Sequence, residues 1–466
     1  MNRAFAPGTF TWALGIEDTC VYPPARFAMA PLDEHRLTGH DTAWRADLDA
    51  VRDLGATALR YGVDWPRVHL GPGRYDWTVL DERLAHAAAG GVTVIADLVH
   101  YGTPTWLDGS FADPRYPEAI ASFASAFAAR YAGVVDHVTP LNEPITTASF
   151  AGLRGVWPPA LTGWDGWTRV VLGIAAGIQR TVEAVRDANP DAVILHVEAS
   201  SLVEAGDART ETLAETALLE VLGTVPTDLV TGRVTPDHEA YAWLLEHGAT
   251  AVELDVLVDG AVTLDLLGVN YYPDLTPRRL TTEAGRVVQR AHDRWADGLA
   301  DALRRFDARY GLPMVVTETS IEGADELRTS WVHDAADAVR DLAADGLDVR
   351  GLTWWPLFDF VDWSYASGGR NIEEFELPPE VVAERAASDR KTPYLRRMGL
   401  IRLDEAVDGT LGRVRTPAAE AFRRRATQEA RAPGVSTVGG GAGVDGAAAG
   451  HADVIPAADS ARAPRP

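Results

Sequence analysis

Two glutamates stand where apolar runs of the sequence stop. Glu143 lies in Thr139-Pro140-Leu141-Asn142-Glu143-Pro144, and Glu318 lies in Val315-Val316-Thr317-Glu318-Thr319. Glutamate has a poor β propensity and is expensive to bury, so two of them at two strand ends imply a site that uses them. A pair of carboxylates flanking one pocket is what glycoside hydrolysis requires, one protonating the leaving oxygen and the other attacking the anomeric carbon. Taken singly, either residue also fits a surface loop acid; the pair is harder to explain that way. A further acid, Glu198 in His196-Val197-Glu198-Ala199, ends another such run and either lines the same mouth or supports it from behind.

These residues need elements that bring strand ends together. Short β-like runs recur at Thr9–Ile16, Thr57–Val63, Val92–His100, His137–Leu141, Ala192–Val197, Leu264–Tyr272, Pro313–Thr317 and Gly351–Phe358. Between them lie segments with helical spacing, such as Trp44, Leu48, Val51 and Leu54 after a candidate cap at Asp41. Another is Ile120, Phe123, Phe127, Tyr131 and Val134 after Pro117. Runs such as Val92-Thr93-Val94-Ile95-Ala96 are apolar on both faces, as parallel strands covered by helices must be. Eight such alternations predict an α/β fold, a single (β/α)8 TIM barrel spanning residues 1–426, whose strands deliver side chains to one mouth at their C-terminal ends. Residues 427–466 collapse into Gly, Ala, Pro and scattered charge and are expected to form a disordered tail. That tail holds a formal G-x-G-x-x-G at Gly441, Gly443 and Gly446, but no strand precedes it and no helix follows, so it lacks what a dinucleotide site needs. Between Ser364 and Tyr394 a long polar connection is read as either an active-site lid or a surface insertion.

Composition removes several classes of chemistry. The 466 residues carry 43 basic and 67 acidic side chains, a formal net charge of −24, and Lys391 is the only lysine. Lys391 follows Arg390, so there is no GK[ST] phosphate loop, and a Schiff-base lysine has one candidate. The acidic surplus argues against nucleic acid as a partner. Cys20 is the only cysteine, which excludes intrachain disulfides and cysteine zinc sites. The twelve histidines are scattered without His-Glu-x-x-His, so no metal is expected, and the chemistry above calls for no cofactor. No run approaches 18 apolar residues and the N-terminus has no apolar signal core, so no membrane association and a cytoplasmic setting are expected. A homo-oligomer is compatible with the sequence, which does not specify one.

With these residues in view, the chain from Phe10 to about Phe422 resembles glycoside hydrolase family 1, the β-glucosidase-like retaining enzymes. Asn142-Glu143-Pro144 is similar to the family's acid/base motif, and Thr317-Glu318 to the start of its nucleophile motif. Arg60 in Leu59-Arg60-Tyr61 resembles the second-strand arginine that contacts the nucleophile. His100 in His100-Tyr101-Gly102 is placed like the third-strand sugar-binding histidine. Asn270-Tyr271-Tyr272 resembles the sixth-strand motif, whose second tyrosine bonds the nucleophile. Trp355 through Asp362-Trp363 resembles the eighth-strand motif with its aromatic platform, and Leu400–Asp404 with Arg415-Thr416-Pro417 echoes the closing segment. The resemblance implies Glu143 as acid/base and Glu318 as nucleophile. Arg60, Asn270 and Tyr272 would support the nucleophile, with Arg60 and Tyr272 lowering its pKa. Glu17, His100, Asn142, Trp355, Asp362 and Trp363 would bind a small glycoside, Asn142 facing the sugar 2-hydroxyl. Glu143, acting as acid and then as base, suits a raised and adjustable pKa. Loss of Arg60 is expected to damage catalysis more than folding.

The chain also departs from the pattern. Glu17 stands where family members carry a glutamine that contacts sugar hydroxyls, Asp362 replaces a longer glutamate, and Thr319-Ser320 replaces Asn-Gly after the nucleophile. A carboxylate only accepts hydrogen bonds whereas an amide also donates, so the preferred sugar need not be glucose. The expected function is therefore a retaining hydrolase of small β-O-glycosides. Activity on β-galactosides, β-mannosides or β-xylosides, or a catalytically silent sugar-binding barrel, are the alternatives.

Overall fold

Strands apolar on both faces need cover on both, and in the computed structural model they obtain it by closing into a barrel ringed by helices. The structure describes residues 4–429 apart from positions 18, 28, 371, 373–378 and 389, so the 427–466 segment falls outside the described residues from position 430 onward, as do the central positions of the polar connection read as a lid. Eight strands close the barrel: β1 (Thr11–Ile16), β2 (Ala58–Gly62), β3 (Thr93–Asp97), β4 (His137–Thr139), β5 (Val193–Ala199), β6 (Leu266–Asn270), β7 (Met314–Thr319) and β8 (Val349–Trp354). All neighbours are parallel, and β1 completes the circle with Ala13 between Thr353 of β8 and Ala58 of β2. The expected (β/α)8 barrel is the fold, and each strand read from the sequence overlaps one of these.

The period-2 alternation of the strands divides the core in two. Ala13, Ala58, Ile95, Leu195, Val197, Leu266 and Val315 point inward and meet Phe5, which fills the barrel's N-terminal end. Their neighbours, such as Trp12, Leu14 and Ile16 on β1, face outward into the larger core shared with the helices. The helices cross between successive strands, including His40–Asp53, Thr78–Ala89, Tyr116–Tyr131, Gly163–Ala188, Trp295–Tyr310 and Asp325–Ala344, and Pro417–Glu429 follows β8. Two details differ from the sequence reading. The first helix is capped by Gly39 in the left-handed region, while Asp41 sits in its first turn and pairs with Arg67 and Arg83. The third stops at Tyr131, leaving Val134 exposed beyond it.

Close approach at the mouth depends on two glycines. A Cβ on Gly62 would lie 2.3 Å from the carbonyl oxygen of Glu17, and one on Gly15 would lie 2.5 Å from the Glu17 carboxylate and 2.6 Å from Trp355. Only glycine allows β1, β2 and the segment after β8 to converge so tightly. Among the described residues no helix is long and apolar enough to cross a membrane.

Candidate active site

Three consecutive strands end in a residue that other amino acids rarely allow. Asp64 after β2 (φ 54°), Tyr101 after β3 (φ 74°) and Glu143 after β4 (φ 44°) all adopt the left-handed region, which is strained for a non-glycine residue and typical of functional sites. Glu143 precedes the short helix Pro144–Ala148, and its backbone N–H donates to the Val197 carbonyl oxygen, tying the end of β4 to β5. Two hydroxyl or amide donors hold its carboxylate. Tyr101 Oη donates to Oε2 at 2.8 Å, and Asn270 Nδ2 donates to Oε1 at 2.7 Å.

Glu318 on β7 has its own set. Tyr272 Oη donates to its Oε2 at 2.6 Å, and Arg60 Nη1 donates to its Oε1. Arg60 is fully buried and is the hub of the floor: Nη1 also reaches Glu17 at 2.8 Å, and Nη2 reaches Asp97 at 2.6 Å and the Asn142 side-chain oxygen at 2.7 Å. One guanidinium thus faces the carboxylates of Glu17, Asp97 and Glu318. Burial pushes the Glu318 carboxyl up from its ordinary value and the charge of Glu143 adds to that, while Arg60, His100 and the Tyr272 hydrogen bond pull it down. The net direction is upward. The expected depression is therefore corrected: desolvation outweighs a cation shared with two other acids. Burial and the nearby carboxylates also lift the Tyr101 and Tyr272 hydroxyls well above their ordinary value, so both stay protonated donors.

A second correction concerns Asn270. The resemblance puts it beside Glu318, yet its side-chain oxygen accepts from Thr317 Oγ1 at 2.7 Å, which turns its NH2 toward Glu143. Asn142 is fully buried, and protein groups surround its amide. Its oxygen accepts from Arg60 and Asn270, and its NH2 donates to Tyr101 Oη at 2.8 Å and reaches His100 Nε2 at 3.3 Å. His100 Nδ1 lies 2.9 Å from Asp97 Oδ2, and since a carboxylate only accepts, Nδ1 carries a hydrogen.

Above this floor lies a cavity of about 510 Å³ lined by His100, Tyr101, Glu143, Tyr272, Glu318, Trp355, Asp362 and Trp363 among others. The structure therefore brings Glu143 and Glu318 to one cavity with four of the expected binding residues. Glu17 and Asn142 sit beneath it, engaged by Arg60. Trp363 packs against Tyr101, Phe150 and Trp157, and Trp355 against Phe360 and Tyr272. The indole N–H groups of Trp355 and Trp363 are buried without a hydrogen-bond partner among the described residues. Asp362 presents one oxygen to Arg385 at 3.0 Å and to the Ser364 N–H at 3.0 Å. Glu198 does not line the cavity: it is fully buried, one oxygen accepts the N–H groups of Ile145 and Ala199, and burial pushes its carboxyl well above its usual range.

Three contributors escaped the sequence reading. Asp97 ends β3 in the structure but lies inside the apolar run Val92–His100 in the sequence, so the signal that marks Glu143 and Glu318 passes over it. Tyr101 is next to His100. Arg385 comes from the helix Pro379–Ala386 in the polar connection and carried no signal.

With this geometry in place, comparisons with known proteins are informative. Residues 38–370 match the model of glycosyl hydrolase family 1. The chain belongs to that family. This family 1 chain, a glycosidase, is 25% identical over 358 residues to a β-glucosidase of Agrobacterium sp., covering 70% of this chain and 77% of that relative. It is 25% identical over 388 residues to a bifunctional β-D-glucosidase/β-D-fucosidase of Bifidobacterium breve, covering 70% and 80%. Against a family 1 β-glucosidase from Thermotoga maritima in complex with isofagomine lactam, the fold of this family 1 glycosidase aligns with a TM-score of 0.72 at 16% identity, covering 92% of this chain and 99% of that one.

Proposed function

We propose that the protein is a retaining hydrolase of small β-O-glycosides that works by double displacement. The observation that carries this reading is a pair of carboxylates, Glu143 and Glu318, on one cavity, each with separate donors. Glu318 attacks the anomeric carbon while Glu143 gives its proton to the leaving oxygen; water then enters with Glu143 as base. Arg60 favours the ionised nucleophile against its burial. When Glu318 is esterified, Arg60 still has Glu17 and Asp97, so the cation stays paired throughout. The buried indole N–H groups of Trp355 and Trp363 and the flat faces of their rings suit the hydroxyls and C–H face of a pyranose.

The glycone is β-glucoside-like in the first instance. A β-galactoside, β-mannoside or β-xyloside is the second reading, favoured by one observation: Glu17 and Asp362, two of the altered positions, spend carboxylate oxygens on Arg60 and Arg385. A panel of nitrophenyl glycosides tests both, and no turnover of any member would overturn the hydrolase reading in favour of a silent barrel. For the mechanism, Glu318→Gly is expected to lose activity and azide to restore it, with an inverted glycosyl azide as product. Near wild-type activity of that variant without azide would remove Glu318 from the role.

A further inference from the structure

We infer that the leaving group this enzyme is shaped for is a long apolar one, an alkyl, isoprenoid or similar hydrocarbon alcohol, and not a second sugar. The inference rests on the reading of Glu143 as the acid, because the acid protonates the leaving oxygen and whatever departs must lie on its side of the cavity. The wall on that side is built from the chain that follows Glu143. The helix Pro144–Ala148 runs on into the wider turn Ser149–Leu153, and helical spacing lines the cavity with Thr146, Ser149, Phe150 and Leu153 on one face, with Ile145 beside them. Opposite, the helix Thr210–Leu222 contributes Leu219 and Leu222, three residues apart and so on one face. Leu275, just beyond Tyr272, closes the third side.

Ile145, Leu153, Leu219 and Leu275 are only half-buried. Four large aliphatic side chains lining one cavity, in partial contact with water, is an unfavourable arrangement for a free protein and a favourable one for an apolar occupant. Where the hydroxyls of a second sugar faced these aliphatic side chains, they would lose hydration that the side chains cannot replace. The cavity of about 510 Å³ lies well within the range of ~300–1,000 Å³ that holds a ligand larger than one ring. Charged residues line the cavity as well, Arg154 beside Leu153 and also Glu215 and Arg278, and would meet water or a polar end of the leaving group.

The test is a chain-length series. Alkyl glycosides from ethyl to octyl, with the glycone chosen by the nitrophenyl panel, have leaving alcohols of nearly equal acidity, so differences in kcat/KM report binding of the chain. The expected result is a rise of roughly threefold to fourfold per methylene until the cavity is filled, with octyl glycoside exceeding a disaccharide of the same glycone. Leu219→Asp should flatten the slope of kcat/KM against chain length, whereas general damage to the fold would lower every member of the series alike. A kcat/KM independent of chain length, with the ethyl glycoside hydrolysed, would overturn the inference and leave the hydrolase reading standing. Were no glycoside hydrolysed at all, binding of octyl against ethyl glucoside by calorimetry would still decide the inference, equal affinities sinking it.

Discussion

Arg60→Met is the substitution whose consequence the structure changes most. Its four terminal N–H bonds have four acceptors, Glu17 and Glu318 through Nη1 and Asp97 and Asn142 through Nη2, and Arg60 is fully buried. Removing it leaves three buried carboxylates facing one another. Breaking even one buried pair by removing a single partner costs roughly 3–5 kcal/mol, against a total stability of about 5–15 kcal/mol for a typical domain. The sequence reading, that catalysis suffers more than folding, is therefore replaced by one in which both suffer. The loss should also depend on pH. Without the cation, the Glu318 carboxyl, already raised by burial, rises further, so the folded state holds an extra proton; that contribution is present at low pH and is lost as pH rises. Urea unfolding followed by tryptophan fluorescence at pH 5.5 and 8 should show a midpoint lowered at both and lowered more at pH 8. Arg60→Lys should fall between, since an ammonium keeps the charge but has three donors for four acceptors and lacks the planar fork. Glu17→Gln combined with Arg60→Met should recover part of the loss, because one of the uncompensated charges is gone. If the Arg60→Met midpoint at pH 8 matched the wild type while kcat/KM collapsed, the hub argument would be wrong and Arg60 would act on the chemistry alone.

Two further outcomes follow from individual contacts. Tyr272→Phe removes the donor 2.6 Å from Glu318, a hydrogen bond that pulls its pKa down, so the acidic limb of the kcat/KM profile should move to higher pH by about one unit or more; an unmoved limb would disconnect Tyr272 from the nucleophile. Burial, with the charge of Asp33 adding, pushes Asp64 up to about 7, so its contribution to stability is full at low pH and declines as pH rises toward 7. Asp64→Asn, an amide tolerated at φ 54°, should therefore gain in Tm over the wild type between pH 5 and pH 8, and a constant difference would contradict the assignment.

How far the site could be read in advance depends on the kind of fact involved. Strand ends are legible because an apolar run has to stop somewhere, and a carboxylate at that point is conspicuous; Glu143 and Glu318 obey this, whereas Asp97 is hidden inside the run Val92–His100. Where a side chain turns was not legible. Asn270 sits on β6, between β5 and β7, and position alone leaves it free to serve either acid. The hydroxyl of Thr317, on the neighbouring strand, fixes its oxygen and so aims its NH2 at Glu143. Glu17 was placed against the sugar because its neighbours in sequence said nothing of Arg60, 43 positions away. Its capture needs Gly62, which lets the backbone of Glu17 come close. The left-handed conformations of Tyr101 and Glu143 likewise come from tertiary contacts that override the preference of those residue types.

The scarcity of lysine takes on a structural meaning in the same way. Besides the Arg60 hub, Asp47 is held by Arg413 through two bonds of 2.7 and 2.8 Å, Asp228 by Arg309, Asp359 by Arg397 and Asp362 by Arg385. All four aspartates are buried. A guanidinium suits such positions because it offers several directed donors and is more weakly hydrated than an ammonium, so less is lost when it is taken out of water. Lysine, a compact and strongly hydrated charge, would satisfy fewer acceptors at a higher desolvation cost. Each of these four aspartates is thus matched by an arginine, with Arg60 carrying more than its share. At the mouth of the barrel, by contrast, three carboxylates, those of Glu17, Asp97 and Glu318, share the one guanidinium of Arg60. Glu318 stands at that point, where burial with the charge of Glu143 adding raises its carboxyl, a direction that suits the ester bond of the proposed mechanism.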